Sequence, residues 1–400
     1  MKHLNKVLGL AMAAGLLAAA PALAADVTLG IVGGFTGPLS AQTPSIVKAA
    51  QLVADQIAAQ GGILGGGKLS FVTADGGCAA TSGAAAADKL VNTDKVTALV
   101  GPFCTGEAIG AAQSVTIPGG VVLISPSASA PVFSTLQDND LAFRLTPSDA
   151  LQGVKLANLL LARGIKDISI TYVNNDYGKG LADALSAAFT ANGGKVVADN
   201  AHEEGKADYR PELGGLTGSQ NLVILAYASG SGGVILNQAI ESGDFKTYVG
   251  ADGMWTDDLL KGIDPTAIEG AIFTKPGAAA PDDYFHKYED AAKAAGFNPN
   301  EAYAPQSYDA AFLLALAIQK NGNADRANIN KALRDVAGPP GEPIHAGEWD
   351  KAVKLLAAGT DIDYQGLSGN ADFDANGDVD GQIVYSIVEG GKFADKGPIQ

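Results

Sequence analysis

Two short stretches place hydroxyls and helix-start amides where an anion could be held. Gly101-Pro102-Phe103-Cys104-Thr105-Gly106-Glu107 and Ser125-Pro126-Ser127-Ala128-Ser129 each follow an apolar run, 96–100 and 121–124. A hydroxyl or free N–H at the start of a helix suits a carboxylate, because the donors are already oriented and the helix dipole favours negative charge. Thr105 and the hydroxyl-rich loop of Ser127 and Ser129 together make a candidate anion cradle, with ordinary helix capping as the competing role. Other motifs fail on inspection. The run from Gly62 to Lys68 satisfies G-x-x-x-x-G-K, but Leu69 stands where a magnesium-binding Ser or Thr belongs. That loop also leaves a helix and enters a strand, the reverse of a phosphate loop, so it reads as a helix-end turn. Gly30, Gly33, Gly34 and Gly37 lack G-x-G-x-x-G spacing. Residues 372–380 imitate the first half of a calcium loop, yet Ile383 occupies the twelfth position, where a bidentate Glu is needed. A tight Asn376-Gly377 turn between two strands is expected there instead. His202, His286 and His345 show no metal-ligand spacing, and neither G-x-S-x-G nor H-E-x-x-H occurs. No metal, cofactor or enzymatic activity is expected.

The elements that must carry the two loops follow a regular beat. Apolar runs at 27–32, 69–74, 96–100 and 121–124 read as strands, and they alternate with helical stripes at 44–60, 82–92 and 105–115. The first helix is expected to start with Thr43 as its cap and Pro44 in its first turn, and to end at Gly61-Gly62. A second set begins after Phe143-Arg144-Leu145, with helices at 149–163, 180–191 and 233–242 and strands at 168–173, 195–198, 222–226 and 247–250. Further helices are expected at 283–295 and 308–320, and a β-hairpin within 372–393. Strand–helix alternation predicts parallel sheets covered by helices on both faces. The fold expected is α/β, with two doubly wound parallel-sheet lobes joined by a hinge. Lobe 1 would comprise 25–145 and 275–366, and lobe 2 would comprise 146–274 and 367–400.

Chain length and composition agree. The N-terminus has Lys2 and Lys6, an apolar run at 7–20 and then Pro21-Ala22-Leu23-Ala24, the pattern of a secretory signal peptide cleaved after Ala24. No Cys stands at that site, so no lipid anchor is expected. The remaining chain is too long for one ordinary core and suits two lobes of ~150 to 200 residues each. The net charge is −16, and losing Lys2 and Lys6 makes it more negative, which argues against nucleic acid and anionic membrane as partners. The two cysteines, Cys78 and Cys104, read in an exported protein as one disulfide, the alternative being two buried thiols.

Over nearly its whole mature length the sequence resembles the periplasmic Leu/Ile/Val-type amino-acid binding proteins of ABC transporters, which share the type I binding-protein fold. The resemblance is carried by Gly37-Pro38-Leu39-Ser40, Val100-Gly101-Pro102, the Ser125 to Pro131 stretch, Phe143-Arg144, Asp149 with Gln152-Gly153, the Asp176 to Ala182 stretch, Gln238-Ala239, Gly250-Ala251-Asp252-Gly253 and Tyr308-Asp309-Ala310. It implies a periplasmic monomer that binds an amino acid between its lobes and delivers it to a membrane permease. In that pattern Thr105, Ser127 and Ser129 hold the ligand's α-carboxylate and share in holding its ammonium, and Asp252 pairs with the α-ammonium. Tyr177 closes the pocket, Tyr303 contacts the ligand side chain, and Cys78 and Cys104 form a disulfide near it. Gln42 stands where the branched-chain binders place an aromatic residue, and Ala228 where they place a Tyr, with Tyr227 adjacent. Trp255 lies just beyond Asp252 and is expected to reach the pocket. These departures rebuild the side-chain end of the cleft, so an aromatic or other carboxylate ligand stays open, as does a role presenting the ligand to a sensor.

Overall fold

The computed structural model describes residues 24–277 and 282–400; the expected signal peptide therefore lies outside the described residues, apart from Ala24. The first sheet contains β1 (Val27–Gly33), β2 (Leu69–Asp75), β3 (Leu99–Val100), β4 (Leu123–Ser125) and β5 (Ala142–Arg144). All pairings are parallel, in the order β2-β1-β3-β4-β5. The second sheet begins with β6 (Asp167–Val173), β7 (Lys195–His202), β8 (Asn221–Leu225), β9 (Thr247–Gly250) and β10 (Ile272–Pro276), parallel in the corresponding order β7-β6-β8-β9-β10. A small parallel pair, β11 (Glu342–His345) with β12 (Ile362–Gln365), is separate from both. The antiparallel strands β13 (Ile383–Glu389) and β14 (Lys392–Pro398) then extend the second sheet from β10. Each lobe is therefore a doubly wound unit, and in each the strand order reverses between the first strand and its neighbour on the other side, where such sheets open a crevice beyond the strand C-termini.

Strands buried on both faces read as continuous apolar runs, which is why β1, β6 and β8 were legible. The helix Ala304–Asn321 is buried along its whole length from Ala304 to Ile318, because it packs on Thr43–Ala59 and reaches under β3 and β4. From Ala310 to Ile318 every residue is apolar, as such a central position requires. The Gly62 to Lys68 turn is tied into this layer: Ile63 bridges Gly67, Trp349 Nε1–H donates to the Gly62 carbonyl at 3.0 Å, and Leu64 N–H donates to Gln319 Oε1 at 2.8 Å. It is a helix-end turn, as its order in the sequence predicts.

Two expectations need correction. The cap of the first helix is Gln42, not Thr43, whose hydroxyl instead donates to the carbonyls of Gly34 and Leu39. The hairpin near the C-terminus turns at Gly390-Gly391, between β13 and β14, and not at Asn376-Gly377. The 372–380 segment is a loop in which Asp374 Oδ1 accepts the N–H groups of Asn376 and Asp378, while Asp378 pairs with the fully buried Arg144 at 2.7 Å. Asp374 and Asp378 are thus spent on a turn and an ion pair. Among the described residues no group of three or more His, Cys, Asp or Glu is placed to hold a metal ion.

Candidate functional site

The loops that follow the strand C-termini of the two sheets face one another. From the first sheet, β1 leads to Leu39 and Gln42, β3 to Phe103, Cys104 and Thr105, and β4 to Ser127 and Ser129. From the second, β6 leads to Asn175 and Tyr177, β8 to Tyr227, and β9 to Asp252 and Gly253. Gly101 makes the exit from β3 possible: its φ is +93°, and a Cβ there would lie 2.3 Å from the Val32 carbonyl oxygen. The helix Asp176–Ala191 starts four residues earlier than its apolar stripe suggests, capped by Asn175, whose side chain accepts from Gly178 N–H at 2.9 Å. That earlier start puts Tyr177 in the first turn, pointing at Asp252.

Asp252 is the hub. Tyr303 O–H donates to its Oδ2 at 2.6 Å, while Oδ1 accepts from Tyr177 O–H at 3.1 Å and from Gln152 Nε2 at 2.9 Å. Tyr303 enters from the far end of the chain, held at φ +69° immediately before the central helix, and so joins the two lobes through this carboxylate. Burial raises the Asp252 carboxyl, and the three hydrogen bonds oppose that rise. The Tyr227 ring lies 5.2 Å from that of Tyr177, and its hydroxyl accepts from Asn175 Nδ2 at 3.4 Å.

The first-lobe side is built on the Cys78–Cys104 disulfide. Cys104 caps the helix Thr105–Ala111, and the buried Glu107 accepts the N–H groups of Cys78 at 2.6 Å and Cys104 at 3.1 Å, so one carboxylate fastens both ends of the bridge. Burial pushes that carboxyl up to about 7. Thr105 Oγ1 accepts from Ala130 N–H at 3.3 Å, which leaves its O–H free to donate into the cleft. Ser127 O–H donates to the Phe103 carbonyl at 2.7 Å, so its oxygen offers lone pairs to the cleft.

Thr105, Ser127, Tyr177, Tyr227, Asp252 and Tyr303 line one cavity, together with Leu39, Phe103, Cys104 and Gly253. The other three sequence candidates sit differently. Ser129 turns its hydroxyl away to Asp149 Oδ2 at 3.0 Å. Gln42 is buried and reaches across the lobes to donate to the Trp255 carbonyl at 3.3 Å. The Trp255 indole itself does not enter the cavity: it stacks on Phe393 at 4.9 Å, carries Lys275 Nζ 3.3 Å above its ring, and donates to Ser386 Oγ at 3.4 Å. The reason is the C-terminal hairpin, which offers that ring an apolar face on the outside of the second sheet. Gln152, which bonds Asp252, and Glu107, which fastens both ends of the disulfide, are not among the sequence candidates. Gln152 had a signal, since Asp149 with Gln152-Gly153 is one of the recurring motifs, but only the fold brings it to a carboxylate 100 residues away.

Two sheets of matching strand order, closing on a pocket with a buried acidic hub on one side and hydroxyls on the other, define a two-lobed protein of the binding-protein architecture. The chain belongs to the periplasmic binding protein family, whose model matches residues 26–384. A Leu/Ile/Val-binding protein of Rhizobium johnstonii is 31% identical over 325 residues, covering 80% of this chain and 86% of that one. The fold is that of a leucine-binding protein from Thermotoga maritima, with TM-score 0.79, 23% identity and coverage of 94% and 99%. A solute-binding protein of an ABC transporter from R. palustris, solved with benzoate, matches with TM-score 0.77 at 17% identity, covering 94% and 96%.

Proposed function

We propose that this protein is the exported solute-binding component of an ABC transporter, that it captures an α-amino acid between its lobes, and that it presents the closed form to a membrane permease. The observation that carries the reading is the Asp252 carboxylate: it is buried, and all its side-chain partners are neutral donors, Gln152, Tyr177 and Tyr303. A buried anion without a cation is costly, and a ligand ammonium is the group that removes the cost. Opposite it, the Thr105 hydroxyl has its proton free for the ligand carboxylate. The family supports export to the periplasm, and the pattern of residues 1–24 supports a cleaved signal peptide. We further read the protein as a monomer whose lobes divide near residues 145, 275 and 366.

The cavity encloses about 20 Å³, room for roughly one water. Any amino acid therefore requires the lobes to part and close again around it, which is the cycle a carrier needs. A second reading, an aromatic carboxylate, draws on the rings of Phe103, Tyr177, Tyr227 and Tyr303 around the cavity and on the benzoate-bound neighbour. A thermal-shift screen of L-amino acids, benzoate and the deaminated analogue of each hit separates the two. The first reading requires L-amino acids to bind and their deaminated analogues to fail; stabilisation by plain carboxylates alone selects the second.

A further inference from the structure

Behind the hub lies a second buried carboxyl. Asp149 opens the helix Asp149–Ala162, the same helix that carries Gln152 to Asp252. It is fully buried; its Oδ2 accepts from Ser129 O–H at 3.0 Å, and its Oδ1 has no hydrogen-bond partner. The two carboxyls are thus unequal, Asp252 accepting three side-chain hydrogen bonds and Asp149 one. Burial, followed by the charge of Asp252, raises the Asp149 carboxyl well above the usual range. Arg144 opposes this, but its guanidinium is engaged by both oxygens of Asp378 and by the carbonyls of 128–130. The remaining titratable groups around the pair are Tyr177, Tyr227 and Tyr303, each pushed up by burial and so neutral near pH 7. Two neighbouring buried carboxyls with no cation of their own cannot both ionise cheaply.

We propose that Asp149 is a positioning residue that holds a proton while Asp252 holds the charge, and that a ligand ammonium arriving at Asp252 lets Asp149 ionise, so that capture of an amino acid releases a proton. The inference rests on the reading that the ammonium docks at Asp252. The Asp149 O–H bond breaks and its proton leaves to solvent as the lobes close; the ligand's own ammonium keeps its protons. Because the bound state then holds Asp149's proton less tightly than the free state, affinity rises with pH across the window between the two, by at most about tenfold per pH unit.

The test is calorimetry of the full mature chain with L-leucine near pH 7, in phosphate and in Tris, whose ionisation heats differ. If leucine does not bind, the L-amino acid with the largest thermal shift replaces it. A buffer-dependent heat corresponding to release of up to one proton is expected, shrinking towards zero in Asp149→Asn. Infrared spectra of the ligand-free wild type, minus those of the variant, should show one protonated carboxyl that disappears when the amino acid is added; Glu107 and Glu301, both pushed up to about 7, are common to the two samples and cancel. Should Asp149→Asn not fold, Asp149→Ser replaces it in both measurements. Tight amino-acid binding with a buffer-independent heat overturns this inference and leaves the ligand reading standing, whereas failure of every L-amino acid to bind overturns both.

Discussion

If the ligand ammonium docks at Asp252 as proposed, selection there comes down to one charge. Its three neutral donors hold the carboxylate in place but do not neutralise it. Asp252→Asn should therefore weaken an amino-acid ligand by roughly 2 to 5 kcal/mol, the range for removing one partner of a buried charge pair. The deaminated analogue should bind no worse to the variant, since a repulsive group has gone. Calorimetry of both ligands on both proteins measures this, and an unchanged amino-acid affinity would remove Asp252 from the ammonium role. Across the cleft, the Cys78–Cys104 bridge closes a loop of sequence separation 26. Breaking it by Cys78→Ala with Cys104→Ala should cost about 3 kcal/mol in a loop-entropy account, read from urea unfolding. Ligand affinity should fall as well, because the bridge and Glu107 together fix where Thr105 stands.

Among the elements, the contact between helices Asp149–Ala162 and Asp176–Ala191 does the most to aim the second lobe's site residues, because one carries Gln152 and the other Tyr177. The contact is close because Gly153 has no side chain: a Cβ there would meet Leu185 N at 2.6 Å and Ala184 Cβ at 2.7 Å. Both obstacles are rigid. Gly153→Ala should thus destabilise the fold by about 1 to 3 kcal/mol through overpacking, in spite of alanine's better helix propensity. A thermal melt reads the loss. A rise in melting temperature would show that the two helices can separate without cost.

On the scale of the whole molecule, Asp378 ties the loop that precedes the C-terminal hairpin to β5 of the first sheet. Arg144 donates to it through Nε at 2.7 Å and Nη2 at 2.8 Å, and Arg144 is fully buried. Asp378→Ala strands that guanidinium, and the expected loss is about 3 to 5 kcal/mol in chemical denaturation. Replacing the pair together, Arg144→Met with Asp378→Ala, should recover part of it, because no unpaired charge is then buried. A single-variant loss below 1 kcal/mol would mean that the pair behaves as an exposed one.

How much of this was written in the sequence depends on the range of the interaction concerned. Local signals were sufficient for the doubly wound lobes, since strands such as β6 and helices such as Gly233–Ser242 are declared by apolar runs and periodicity within a few residues. The loops bearing Thr105 and Ser127 were legible in the same way, because a strand followed by a hydroxyl-rich turn is a short-range pattern. Less was visible after residue 321: helices Ile329–Ala337 and Trp349–Ala357 and the pair β11–β12 are short elements whose apolar faces acquire meaning only against the central helix. The direction of Trp255 is not legible in the sequence, because its partners, Phe393 and Ser386, lie more than 130 residues away and on another strand pair. The meeting of Asp252 with Gln152, Tyr177 and Tyr303 was likewise a decision of tertiary structure. Residue types and order determined which groups could hold an ammonium or a carboxylate; only the closing of two sheets, end against end, brought those groups within hydrogen-bond reach and buried them.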